Sequence, residues 1–94
     1  LGKYEVKALP NAKKELLEIE PFQRLQILNS LKVLEESPLP KGKGSIRMLK
    51  GFRPPLFRLR SGDYRIVYRI KGAAVEIMSV VNRKELERKI KRIK

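Results

Sequence analysis

Leu56-Phe57-Arg58-Leu59-Arg60-Ser61-Gly62-Asp63-Tyr64-Arg65-Ile66-Val67-Tyr68-Arg69-Ile70 is the stretch that decides the fold. Apolar and cationic side chains alternate on both sides of Gly62-Asp63, a two-residue hairpin signal. With the turn there, Ser61 faces Tyr64, Arg60 faces Arg65, Leu59 faces Ile66 and Phe57 faces Tyr68. Directly opposed residues share one face of a sheet. Phe57, Leu59, Ile66 and Tyr68 are therefore predicted on a core side, and Arg58, Arg60, Arg65 and Arg69 on the other.

Toward the carboxy terminus, a turn at Lys71-Gly72 leads into the mostly apolar run Val75 to Val81. That strand adds Val75 and Ile77 to the core side and Glu76 and Met78 to the arginine side. Met78 and Val80 predict that something apolar covers part of the arginine face. Leu86, Ile90 and Ile93 lie at i, i+4 and i+7 in a basic terminal helix, which is one such cover; a partner's helix is the other.

Toward the amino terminus, Gly51–Pro55 is a turn, and Ile46 and Met48 alternate with Arg47 and Leu49 in a further strand. The Pro- and Gly-rich stretch from Ser37 to Gly44 is a loop. Before it, Phe22, Leu25, Leu28 and Leu31 recur every three residues, joined by Ile27 and Leu34. This predicts a helix, opened by Pro21, whose apolar stripe a sheet covers. Pro10 fits the first turn of an earlier helix, with Asn11 as its cap and Ala12, Leu16 and Ile19 at helical spacing. Lys3 to Leu9 reads as a first strand. The predicted fold is α+β in two layers: strand, helix, helix, four-stranded antiparallel meander, carboxy-terminal helix. Residues 1–94 are expected to form one domain, long enough to bury a core without metal or disulfides.

The composition narrows the chemistry. There is no cysteine and no histidine, so thiolate chemistry and imidazole catalysis are excluded. No acidic cluster has the spacing of a metal loop, and no cofactor motif is present, so neither metal nor cofactor is expected. No apolar run approaches the roughly 20 residues that span a bilayer. The start, Leu1-Gly2-Lys3-Tyr4, is not a charged leader followed by an apolar stretch, so a cytoplasmic location and no membrane partner are expected.

The net charge is +13, and it is unevenly spread. Residues 1–40 hold six basic and six acidic side chains and are neutral. Residues 41–72 hold ten basic side chains and one acid, Asp63; residues 82–94 hold seven basic and two acidic. So lopsided a field attracts polyanions, RNA first among them. The arginine face sharpens this. Like charges placed opposite each other destabilise a sheet by up to about 1 kcal/mol per pair, so Arg60 opposite Arg65 calls for a compensating anion. Guanidinium groups also grip phosphate through paired hydrogen bonds. Asn82-Arg83-Lys84, directly after the last strand, places a further arginine and lysine at the rim of the same sheet.

These residues resemble the RelE-like toxins of bacterial and archaeal toxin–antitoxin pairs. The hairpin Leu56 to Tyr68 is similar to that family's basic strand, Gly-Asp turn and Tyr-Arg pair. Leu49-Lys50-Gly51 resembles its lead-in, Val80-Val81 followed by Arg83-Lys84 its carboxy-terminal motif, and Pro10–Leu17 its first helix. The resemblance implies a ribonuclease that enters the ribosomal A site, cuts messenger RNA and stops translation. It also implies an acidic antitoxin that silences it. Carried over by position, Arg65 contacts the scissile phosphate, Arg83 is the carboxy-terminal catalytic arginine, and Arg58 is a basic residue on the preceding strand. Arg60, Arg69, Lys50, Lys43 and Arg88 are expected along the RNA backbone. The chain departs from the family pattern at Asn82, where some members have histidine, and in 84–89, where many have a tyrosine.

RNA can be cut by its own 2′-hydroxyl, and arginines suit the charge that develops on the phosphate. Arginine stays charged and is a poor base; Lys84, whose protonated form the surrounding cations disfavour, is a candidate for that role, and the sequence leaves the identity of the general base open. Two other readings stand beside this one. A ParE-like relative shares the fold but poisons DNA gyrase, and a non-catalytic relative binds RNA without cutting it.

Overall fold

A computed structural model describes residues 3–42 and 44–93, with the side chain of Ile93 excepted. The elements run β1 (Glu5–Ala8), α1 (Pro10–Leu17), α2 (Pro21–Glu36), β2 (Ile46–Leu49), β3 (Leu56–Ser61), β4 (Tyr64–Lys71), β5 (Ala74–Asn82), a 3-10 turn (Arg83–Glu85) and α3 (Leu86–Ile93). The order is the one predicted. Strands β2 to β5 form the antiparallel meander, and β1 pairs parallel to β5 at its edge, giving the sheet order β1-β5-β4-β3-β2.

The hairpin register is as read from the sequence: Phe57 opposite Tyr68, Leu59 opposite Ile66, Arg60 opposite Arg65, Ser61 opposite Tyr64. Gly62 takes a φ of 58° at the first central position of the turn, a conformation glycine adopts without steric cost. The core side carries Phe57, Leu59, Ile66, Tyr68, Val75, Ile77 and Val80, packed against Ala12, Leu16 and Ile19 and, from α2, Ile27 and Leu34. Helices α1 and α2 therefore lie on one face. Tyr68 is fully buried, its ring stacked on Phe57 and its hydroxyl donating to the Pro38 carbonyl at 2.6 Å.

Three expectations are corrected. Val80 does not face the arginine side. A bulge between Val67 and Tyr68 on β4 and Ser79 and Ile77 on β5 leaves Met78 as the extra residue. A bulge shifts the alternation by one, so Val80 enters the core while Ser79 and Val81 share a face with Val67. Asn11 does not cap α1. Leu9 occupies the cap without a side-chain bond, and Asn11 instead donates to the Met78 carbonyl. Finally, the apolar stripe of α2 is not covered as a unit. Ile27 and Leu34 are buried and Leu31 is half-buried, but Phe22, Leu25 and Leu28 are exposed. The helix is apolar on two sides, and the sheet covers one.

β1 ends at Ala8, which would leave the far half of β5 as an open edge. α1 closes it. The Glu15 carboxylate accepts from the Val80 N–H at 3.0 Å and from the Ser79 hydroxyl at 2.9 Å, and Asn11 satisfies the Met78 carbonyl. Capping an edge with side chains also prevents its pairing with another strand. Glu15 pairs in addition with Lys89 of α3 at 3.3 Å, so α3 is tied to α1 while packing against β5. Leu86 and Ile90 are half-buried there; the Ile93 side chain lies outside the described part. No helix among the described residues is long and apolar enough to cross a membrane.

Candidate nucleic-acid interface

The face away from the core helices is built row by row from the strand register. One row is Arg60 on β3, Arg65 on β4 and Val81 on β5. The next is Arg47 on β2, Arg58 on β3, Val67 on β4 and Ser79 on β5. Val67, Ser79 and Val81 are buried and make a floor, and Leu56, on the same side, is buried too. The arginines rise from this floor toward β2 and the Gly62-Asp63 turn. Two pairs, Arg47 with Arg58 and Arg60 with Arg65, stand directly opposite each other across adjacent strands.

Local bonds hold these groups in place. The Arg58 guanidinium donates to the Ser45 carbonyl at 3.2 Å. Arg65 folds back over the turn and donates to the Gly62 and Tyr64 carbonyls, each at 3.0 Å. The Arg83 N–H donates to the Asp63 carbonyl at 2.8 Å, pinning the 3-10 turn to the tip of the hairpin. Asn82 caps that turn, its side-chain oxygen accepting from the Lys84 N–H at 3.0 Å.

The electrostatics follow. Partial burial, then the charges of Arg65, Arg47 and Arg60, make Arg58 a weaker holder of its proton than a free guanidinium. Arg65 is lowered by burial, then by Arg60 and Arg83, with Asp63 acting the other way. Arg83 is thus one of the charges that act on Arg65. Repulsion among fixed guanidinium groups is relieved by an anion between them, and a phosphodiester is the anion whose oxygens match their paired donors.

The sequence-predicted residues do not all gather here. Arg58, Arg60, Arg65 and Arg83 do. Lys84 follows Arg83 and is exposed. Arg69 is a row further away and is engaged by Glu76 in an ion pair at 2.6 Å. Lys50 is exposed in the turn after β2, and Arg88 is exposed on α3. Lys43 lies outside the described residues. Arg47 belongs to the cluster and was not singled out from the sequence. The alternation within Ile46–Leu49 carries the signal, but its pairing with Arg58 depends on the length of the intervening turn. Among the described residues no group of acidic side chains could hold a metal ion. A cavity of about 310 Å³ lies elsewhere, between α2, the 37–45 connection and β2–β3, and touches the cluster only through Arg60.

Comparison with known proteins bears on the family and the fold. The sequence model of the ParE toxin of type II toxin–antitoxin systems, parDE, matches residues 6–87. No curated protein sequence matches the chain. Among solved structures, the archaeal RelE–RelB complex from Pyrococcus horikoshii superposes with a TM-score of 0.72 at 27% identity, over 86% of this chain and 96% of that one. The RelBE2 complex from Mycobacterium tuberculosis gives 0.74 at 24% identity, over 85% and 98%. The chromosomal ParDE system from Pseudomonas aeruginosa gives 0.52 at 18% identity, over 85% and 96%.

Proposed function

The chain belongs to the ParE toxin family of type II toxin–antitoxin systems, within the RelE/ParE superfamily, and we propose that it arrests growth by cutting messenger RNA in the ribosomal A site. The observation that carries this reading is the meeting of Arg58, Arg60, Arg65 and Arg83 at one end of a sheet face, with Asp63 the acid that acts on Arg65 there. The two opposed arginine pairs are each unfavourable to the free fold and are relieved by an anion, which a phosphodiester backbone supplies.

In the reaction, the 2′-oxygen of one nucleotide attacks the adjacent phosphorus. The P–O2′ bond forms and the P–O5′ bond breaks, leaving a 2′,3′-cyclic phosphate and a 5′-hydroxyl. The attacking hydroxyl loses a proton to a base and the departing oxygen gains one. Arg65 and Arg83, flanking the hairpin tip, neutralise the charge that builds on the phosphate oxygens, a kind of help worth about 10²–10³ in rate. Arg58 and Arg60 hold the flanking backbone. Lys84, next to Arg83 in the chain, is assigned the acid–base role, with the ribosome contributing geometry. The silencing partner is an acidic antitoxin drawn to the basic face, as the RelB chains in the solved complexes accompany their RelE partners.

A second reading has DNA gyrase as the target, as the resemblance to ParE-like toxins implies, and the model that matches the chain is that of a ParE toxin. Adding the protein to a translation reaction and to a supercoiling reaction separates the two. Truncated message with a cyclic-phosphate end, and unimpaired supercoiling, is the expected result; inhibited supercoiling with intact message would reverse the assignment.

A further inference from the structure

The exposed side of α2 has no part in the arginine face and needs its own explanation. Phe22, Leu25 and Leu28 recur at three-residue steps along a 16-residue helix and are 65%, 58% and 44% exposed. Single exposed apolar side chains are ordinary, but a contiguous row marks an interaction surface. We infer that this row is a self-association surface, on which a second copy of the chain packs its own α2 antiparallel about a two-fold axis near Leu25.

Electrostatics selects this occupant. Two chains of net charge +13 repel each other over most of their surfaces, but residues 1–40 are neutral as a group. The α2 row is therefore where two copies can meet at the least cost. An acidic partner, conversely, is drawn to residues 41–72 and 82–94, where the positive charge lies. The row is also self-complementary, as a two-fold interface must be. With the axis at Leu25, Leu25 meets its symmetry mate and Phe22 meets Leu28 of the other copy. Exposed Glu18, just ahead of one helix, comes against exposed Lys32 of the other, while the Glu20 carboxylate caps its own helix by accepting from the Phe22 and Gln23 N–H groups. Antiparallel helices further set opposite dipole ends side by side. The contact is small, so a reversible dimer of micromolar strength is expected rather than an obligate one.

The inference does not rest on the ribonuclease reading. Sedimentation velocity of the chain alone, over a hundredfold range of concentration, should show the mass rising from one chain to two. The dimer should strengthen as salt rises, because salt screens repulsion between the two cationic bodies; RNA binding has the opposite trend. Leu25→Glu should leave a monomer with unchanged circular dichroism, and Leu28→Lys serves if that variant folds poorly. Lys32→Glu should weaken the dimer several-fold, and adding Glu18→Lys should restore it, with Glu20 left in place as the cap of α2. A monomer at every concentration, or a dimer indifferent to Leu25→Glu and Leu28→Lys, overturns the proposal. So does a monomeric chain whose Leu25→Glu variant loses its antitoxin, which would give the row to that partner.

Discussion

Arg60 stands directly opposite Arg65 across the β3–β4 ladder, and the residue on the far side of Arg65 is Val81 rather than an acid. The pair is unfavourable to the free chain and useful only when an anion sits between its members. Stability and function are therefore opposed at this spot. Arg60→Gln should raise the free energy of unfolding by up to about 1 kcal/mol while weakening RNA binding. Urea titration with and without inorganic phosphate reads this: phosphate should close much of the gap by stabilising the parent chain more. A variant less stable than the parent in phosphate-free buffer would refute it.

Arg65→Ala and Arg83→Ala should each relieve growth arrest on expression while the protein remains folded. If each removes one donor to the developing charge, cleavage should fall about 10²–10³-fold. Message ends mapped in expressing cells give the measurement. Full arrest by a soluble double variant would take both residues out of the site.

Glu15 holds together three parts of the molecule, accepting from Ser79 and Val80 of β5 and pairing with Lys89 of α3. Glu15→Ala leaves a strand-edge N–H and a fully buried hydroxyl without their acceptor, at a cost of about 1–3 kcal/mol. Glu15→Gln keeps one acceptor oxygen and should recover part of the loss. Lys89→Ala, which breaks only the ion pair, should cost less than about 1 kcal/mol. Equal losses for Glu15→Ala and Lys89→Ala in urea titrations would show that the edge bonds are unimportant.

Glu76 titrates below the ordinary glutamate range, first because Arg69 hydrogen-bonds to it, with the charges of Arg69, Lys71 and Lys7 adding to this and burial opposing. A depressed folded-state value means the contribution is fully present above the unfolded value, about 4.3, and disappears as pH falls through the folded value. The parent chain should thus exceed Glu76→Gln in stability at pH 7 and lose that advantage in acid. Unfolding midpoints for both chains from neutral pH to pH 3 test it; a constant difference would be the contrary result.

The hairpin was the most legible part of the chain because two independent constraints agree there. Gly62-Asp63 sets the register, and the period of two then assigns every side chain from Phe57 to Arg69 to a face. The cluster of Arg58, Arg60 and Arg65 follows from those constraints alone. Where one constraint was missing, reading failed. Arg47 was overlooked because the turn from Gly51 to Pro55 does not set a register by its composition. Arg69 has the right face but the wrong company, since Glu76 takes it up. Val80 was misplaced because nothing in Val75–Val81 announces a bulge; the extra residue at Met78 is set by how β5 must fit both β4 and α1.

The sequence by itself determined the order of elements, the faces of the central hairpin and the segregation of charge into the later part of the chain, because local periodicity and turn chemistry act over a few residues. Only tertiary structure decided that β1 runs parallel beside β5, that Arg83 is carried to the tip of the hairpin by the Asp63 carbonyl, and that Phe22, Leu25 and Leu28 are left outside. Those outcomes depend on contacts between residues far apart in the chain. A helix with two apolar sides has no local property that says which one the sheet will cover.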